Sequence, residues 1–271
     1  MICYNKYVGS VDCRLFSFLF TKNTGENKFS KMKKHLKIFI AFVIIVSVSV
    51  ASFFVYVSDY YEADLGETPV FAPTDNISVD ILDDKTIVYM PESAEIGLIF
   101  YPGGKVENTA YIPLMKACAS RGIACVLLEM PFNLAVFDVN GADGIQEMHP
   151  EITEWYIGGH SLGGSMAATY ASQNYDDFNG LILLGSYSTT DISDGGMQVL
   201  SVYGSEDKVL NKEKYNEYKP NLPENFTEVV IEGGCHAYFG MYGEQEGDGV
   251  ASISNQEQIE KTADVISEFI K

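Results

Sequence analysis

The sequence predicts an α/β domain, a mainly parallel sheet of about seven or eight strands with helices on both faces, carried behind an apolar N-terminal segment. Three observations predict it. Ile96-Gly97-Leu98-Ile99-Phe100-Tyr101 and Ile123–Leu128 are near-continuous apolar runs, as expected of strands buried on both faces. Such runs alternate with helical patterns along the chain. Finally, Gly158-Gly159-His160-Ser161-Leu162-Gly163-Gly164 joins the aromatic and branched run Trp155-Tyr156-Ile157 to the small-residue stretch Ser165–Ala171. That reads as a strand, a very tight turn and a helix, with a serine at the apex.

In chain order, residues 1–31 are polar, with short aromatic clusters and no clear periodicity. Met32 followed by lysines would itself start the next segment well, so 1–31 reads as an upstream extension or a dispensable tail. Peptides from before Met32 in the native protein would count against that. Lys31-Met32-Lys33-Lys34-His35-Leu36-Lys37 then precedes twenty uncharged, mostly apolar residues, Ile38–Val57. At the helical rise they can cross a hydrocarbon core of about 30 Å. The basic flank before them and Asp59, Glu62 and Asp64 after them place the bulk of the chain outside the cell. Residues 32–57 are therefore expected to be a transmembrane signal-anchor, with membrane contact through 38–57. A cleaved signal peptide, with Ser49-x-Ala51 as the cleavage site and a secreted product, is the alternative. Residues 58–75, acidic with two prolines, read as a tether, and 76–271 as the folded domain.

Within the domain, Ile77–Leu82 and Thr86–Met90 read as strands around a turn at Asp83-Asp84. After Ile96–Tyr101 comes Pro102-Gly103-Gly104-Lys105, then a helical pattern over Thr109–Ser120 closing at Arg121-Gly122, then Ile123–Leu128. Residues 132–153 are irregular, with one short helix expected. Beyond the Ser161 turn, Leu181–Leu184, Val199–Tyr203 and Thr227–Ile231 read as strands and Asn211–Tyr218 as a helix. Gln256–Lys271 is amphipathic, with apolar residues at Ile259, Ala263, Val265, Ile266, Phe269 and Ile270.

Composition excludes several functions. The formal net charge is −19. Up to Val57 there are eight basic and two acidic residues, leaving ten basic and thirty-five acidic after it, so the domain carries −25. Such a surface repels phosphate backbones, and nucleic-acid binding is not expected. The five cysteines form no C-x-x-C pair, and with the four scattered histidines they offer no zinc spacing. No metal and no cofactor are expected. Cys118 and Cys125 could meet if the helix carrying one packs on the strand carrying the other.

Gly159-x-Ser161-x-Gly163 is the nucleophile-elbow pattern. A serine in this strained turn needs neighbours without a Cβ so that strand and helix can pass closely. The turn exposes Oγ and aims the helix N-terminus at any oxyanion formed there. A serine needs a base, and the base an orienting acid. In this architecture they follow in the order serine, acid, histidine, each after a strand. Tyr203-Gly204-Ser205-Glu206-Asp207 supplies the acid, with Asp207 preferred and Glu206 the fallback. Gly233-Gly234-Cys235-His236 supplies the base. His160 adjoins the serine but points away along the turn. The oxyanion would be held by the Leu162 N–H and by one from the Gly103 loop, either Gly104 or Lys105. A plain strand-to-helix turn is the alternative for Pro102-Gly103-Gly104.

With these residues assembled, the domain resembles the α/β-hydrolase superfamily, and more closely its small, lidless, dienelactone-hydrolase-like bacterial branch. The resemblance runs from about Ile96 to Lys271. It rests on the elbow, Tyr101–Val106, Met130–Phe137, Gly233–Gly240 and Gly247-Asp248-Gly249. It implies the α/β-hydrolase fold and hydrolase chemistry without fixing a substrate. One departure is that dienelactone hydrolases use a cysteine nucleophile where this chain has Ser161. Only Gly185–Gln198 intervenes where many relatives insert a lid, so no cap domain is expected. Phe132–Phe137 and Tyr238–Gly249 are then the stretches able to cover the site, with Phe132, Asn133 and Tyr238 as candidate substrate contacts. Core packing is the equal alternative for Phe132.

The function expected is a membrane-tethered, extracytoplasmic serine hydrolase acting on a small ester or related acyl compound. Acyl transfer by the same residues and a catalytically silent cell-surface binding module are its rivals. Product analysis with added alcohol or amine separates the first rival, and failure of an active-site probe to label the serine would favour the second.

Overall fold

The computed structural model describes residues 14–66, 76–82 and 85–271. The chain divides into two compact units between Tyr56 and Val57. The first is built on α1 (Arg14–Ser58). Within it Phe29–Ser58 is long and apolar enough to cross a membrane, with mean hydropathy reaching 2.9. Ile38, Phe42 and Ile45 are among its exposed apolar side chains. Among the described residues the helix reaches back to Arg14, through the charged flank Lys31–Lys37 and well before Ile38, where the apolar run was expected to begin. A helix once nucleated extends cheaply through flanking residues, and Leu15, Lys22, Glu26 and Lys28 are good helix formers.

The second unit is an eight-stranded sheet in the order β1-β2-β4-β3-β5-β6-β7-β8. β1 (Ile77–Ile81) and β2 (Ile87–Pro91) form the antiparallel hairpin expected from the sequence, with Ile81 opposite Ile87. The proposed turn at Asp83-Asp84 lies outside the described residues. β2 also runs antiparallel to β4 (Ile123–Leu127). β3 (Ile96–Tyr101), β5 (Glu154–His160), β6 (Gly180–Leu184), β7 (Gln198–Gly204) and β8 (Thr227–Ile231) continue in parallel. The connecting helices are α2 (Ile112–Ala119), α3 (Ile145–Met148), α4 (Leu162–Ala171), α5 (Lys212–Tyr218) and α6 (Asn255–Ile270).

Alternation along each strand feeds two cores. Leu98 and Phe100 face α2 and α6, packing with Leu114, Met115, Ile259, Ala263 and Ile266. Ile99 and Tyr101 face the other side, with Ile157, Leu183 and the small residues Ala167, Ala168 and Ala171 of α4. On α6 the buried residues recur at helical spacing, and Ser254 caps the helix by accepting from the Glu257 N–H at 3.2 Å. Burying a side chain the size of Ile266 contributes about 1.5–3 kcal/mol. Cys118 and Cys125 meet in the first of these cores and are free thiols.

Residues 59–66 pack against the sheet unit. Tyr61 pairs with Val106, donating its N–H to the Lys105 carbonyl at 2.8 Å and accepting from the Glu107 N–H at 2.9 Å. Asp64 donates to the Met241 carbonyl at 2.8 Å. The rest of the segment read as a tether, 67–75, lies outside the described residues. Residues 185–197, between β6 and β7, contain no helix, so no cap domain is inserted there.

Candidate active site

Ser161 sits between β5 and α4 with φ 52° and ψ −123°, a left-handed conformation that costs a side-chain-bearing residue about 1–3 kcal/mol. The surroundings enforce it. Its N–H donates to the Leu184 carbonyl at 2.9 Å, and its carbonyl accepts from the Ser186 hydroxyl at 2.7 Å. A Cβ on Gly159 would come within 2.7 Å of the Gly163 carbonyl carbon, so the turn closes only with glycine there.

His236 follows β8 and is almost fully buried. Its Nδ1 lies 2.9 Å from Asp207 Oδ2, in the loop after β7. The other Asp207 oxygen accepts from the N–H groups of Val209 at 3.0 Å and Leu210 at 2.8 Å. A carboxylate held this way keeps the imidazole proton on Nδ1 and leaves the lone pair on Nε2. Nε2 has no hydrogen-bond partner, Ser161 Oγ included. Such contacts are often long in free enzymes and tighten when substrate binds. Glu206, the fallback acid, instead accepts from the Ser205 hydroxyl at 3.2 Å.

The two candidates for the second oxyanion donor differ in their hydrogen bonds. The Lys105 N–H is engaged, donating to the Asn133 carbonyl at 2.7 Å. That of Gly104 has no partner among the described residues, and Gly104 lies against Leu162, the first residue of α4. The Gly103 N–H donates to the Tyr111 hydroxyl at 3.0 Å.

Sequence reasoning missed two features. Tyr111 Oη is 2.8 Å from His160 Nδ1, and the His160 ring lies 4.5 Å from that of His236, tilted by 46°. Burial, with His236 adding to it, holds the His160 pKa well below 6.5 and keeps the ring neutral. Nothing in the sequence marks Tyr111 as different from a core tyrosine. Asp248 was noticed only within a glycine-flanked motif. Its carboxylate accepts from the Ala237 N–H at 2.9 Å and the Lys208 N–H at 3.2 Å, bridging the loops that carry His236 and Asp207. Burial works against its charge, but the backbone donors prevail and hold it below the usual carboxylate range.

The expected substrate contacts divide. Phe132 is 47 % exposed, and both it and Asn133 line a cavity of about 520 Å³. Tyr238 is partly buried against the α2–α6 core, and its carbonyl accepts from Asn255.

The sequence model of a family described as "Alpha/beta hydrolase family" matches residues 97–260. Solved structures share the fold. Dienelactone hydrolase from Anabaena variabilis aligns with TM-score 0.54 and 14% identity, covering 72% of this chain and 97% of its own. Est1E from Butyrivibrio proteoclasticus gives 0.52 and 15%, covering 72% and 97%. Carboxyl esterase 2 from Tuber melanosporum gives 0.53 and 11%, covering 79% and 92%. Comparison with curated proteins finds no match.

Proposed function

We propose that this chain, which belongs to the alpha/beta hydrolase family, is a membrane-tethered, extracytoplasmic serine hydrolase that cleaves a carboxylic ester or related acyl compound. The observation that carries the reading is the buried His236–Asp207 pair at 2.9 Å, with His236 Nε2 left unpartnered. Esterases among the solved structures of the same fold support the reaction class.

In this reading Ser161 Oγ attacks the acyl carbonyl while His236 Nε2 takes its proton. Asp207 fixes the imidazole and stabilises its charged form. The Leu162 and Gly104 N–H groups hold the oxyanion. The carbon–oxygen bond breaks as His236 returns the proton to the leaving alcohol, and water then releases the acyl group from Ser161 by the same steps in reverse. Residues 32–57 anchor the protein, 1–31 precede the anchor, 58–75 connect it to the domain, and 76–271 carry the chemistry. An anchored product should sediment with membranes at full mass, whereas a cleaved one would appear in the medium.

Ser161→Ala tests the mechanism. With 4-nitrophenyl acetate as substrate, kcat should fall by about 10⁶ with the melting temperature retained. Near-normal turnover would contradict the reading.

A further inference from the structure

Helix α6 carries one long polar side chain, Gln258, in the buried stripe formed by Ile259, Ala263, Ile266 and Ile270. Gln258 has no exposed surface. An amide taken out of water is costly unless both its donor and its acceptor are paired. Here both partners lie on one residue. Gln258 Oε1 accepts from the Cys235 N–H at 3.0 Å, and Nε2 donates to the Cys235 carbonyl at 2.8 Å. The adjoining glycine makes room for this contact. A Cβ on Gly234 would come within 2.6 Å of Oε1, so a side chain there would displace the amide.

Cys235 immediately precedes His236. Its carbonyl shares one planar peptide unit with the His236 nitrogen and Cα. Its N–H lies in the preceding unit, so the two bonds from Gln258 fix the peptide planes on both sides of Cys235. The Gly234 carbonyl, in that preceding unit, accepts from the Glu206 N–H at 2.8 Å, one residue before Asp207. The same short stretch is therefore tied both to α6 and to the loop that presents Asp207. With its Cα held, His236 meets Asp207 Oδ2 through Nδ1 at 2.9 Å.

We propose that Gln258 is a positioning residue for His236, its amide holding the chain at Cys235 so that the imidazole stays against Asp207. Gln258 itself touches no reacting atom. The contribution to rate rests on the hydrolase reading above; the effect on His236 does not.

The test is NMR of the full-length chain in detergent, with isotopically labelled histidine, beside steady-state kinetics with 4-nitrophenyl acetate. The nitrogen shifts report which ring nitrogen holds the proton, and the His236 signals are those lost in His236→Gln. In the parent chain the Asp207 contact should keep that proton on Nδ1. Gln258→Met keeps a similar shape but neither donates nor accepts as an amide does. Its Nδ1-to-Nε2 proton ratio and its kcat should each fall about tenfold, with KM little changed. Gln258→Glu should restore most of both while its buried carboxyl stays protonated, and lose them as it ionises. Ile266→Val weakens the packing of the same helix without touching a hydrogen bond, and should move neither.

A parent proton on His236 Nε2, an unchanged ratio in Gln258→Met, or an equal loss in Ile266→Val would each overturn the proposal. If Gln258→Met does not fold, Gln258→Glu decides: a ratio that holds as its carboxyl ionises would overturn it as well. The expected ratios in chains that hydrolyse no ester would keep Gln258 as the support of His236 and remove the hydrolase reading.

Discussion

The rings of His160 and His236 lie with centroids 4.5 Å apart and planes tilted by 46°, and neither Nε2 has a hydrogen-bond partner. Two histidines this close cannot both carry charge cheaply, so one must be kept neutral if the other is to shuttle a proton. The hydrogen bonds select His160. Tyr111 accepts from the Gly103 N–H and gives its own proton to His160 Nδ1, which assigns the remaining His160 proton to Nε2. Burial pushes the Tyr111 hydroxyl up, so it stays protonated throughout. A neutral His160 leaves the proton-carrying role to His236, as the proposed mechanism requires.

Tyr111→Phe should therefore act on catalysis as well as on the fold. It leaves the buried Gly103 N–H without an acceptor, at a cost of about 1–3 kcal/mol in stability. The loop carrying Gly104, the proposed oxyanion donor, loses its fixing point, so kcat should drop about tenfold with KM little changed. Steady-state kinetics beside a thermal melt checks this; full kcat in a destabilised variant would separate Tyr111 from the oxyanion loop.

Stability should depend on pH through His160. Its folded pKa is depressed, so above about pH 6.5 both folded and unfolded states leave it neutral. Below that, the unfolded chain gains a proton that the buried ring refuses. Stability should then fall as pH drops, by at most about 1.4 kcal/mol per pH unit for this one group. Urea unfolding at pH 7 and pH 5.5 measures the slope, and His160→Gln should make it shallower. An unchanged slope would mean that His160 gains its proton in the folded state.

Asp248 joins the loops that carry Asp207 and His236 through one carboxylate, Oδ1 to the Lys208 N–H and Oδ2 to the Ala237 N–H. Asp248→Asn keeps one acceptor and sets an amide donor against the other N–H, so one tie must break. The expected result is a kcat about tenfold lower, KM little altered and a displaced pH–rate profile, since the distance between His236 and Asp207 is no longer fixed. A variant that loses thermal stability but keeps its pH–rate profile would reduce Asp248 to a structural link.

What the sequence could reveal follows from what is local. The elbow is legible because Gly159, Ser161 and Gly163 meet a steric demand within five residues. The strands are legible because Leu98 and Phe100 enter one core while Ile99 and Tyr101 enter the other. The contact between His236 and Asp207 could be anticipated because each follows a strand. Tyr111, which reads as a core aromatic, reaches His160 only after β3, α2 and β5 have packed. The choice between Gly104 and Lys105 depends on the Asn133 carbonyl, and Asn133 has φ 55°, a conformation no pattern foretells. The pairing of Tyr61 with Val106 lies inside an acidic stretch whose composition suggests only a linker.

The central claim is an activated serine at the elbow. The most direct measurement is labelling of the full-length chain with a fluorophosphonate probe, followed by mass spectrometry to locate the adduct. An activated serine gives an adduct on Ser161 that is lost in His236→Ala. A folded chain that forms no adduct, or one labelled equally well without His236, would contradict it.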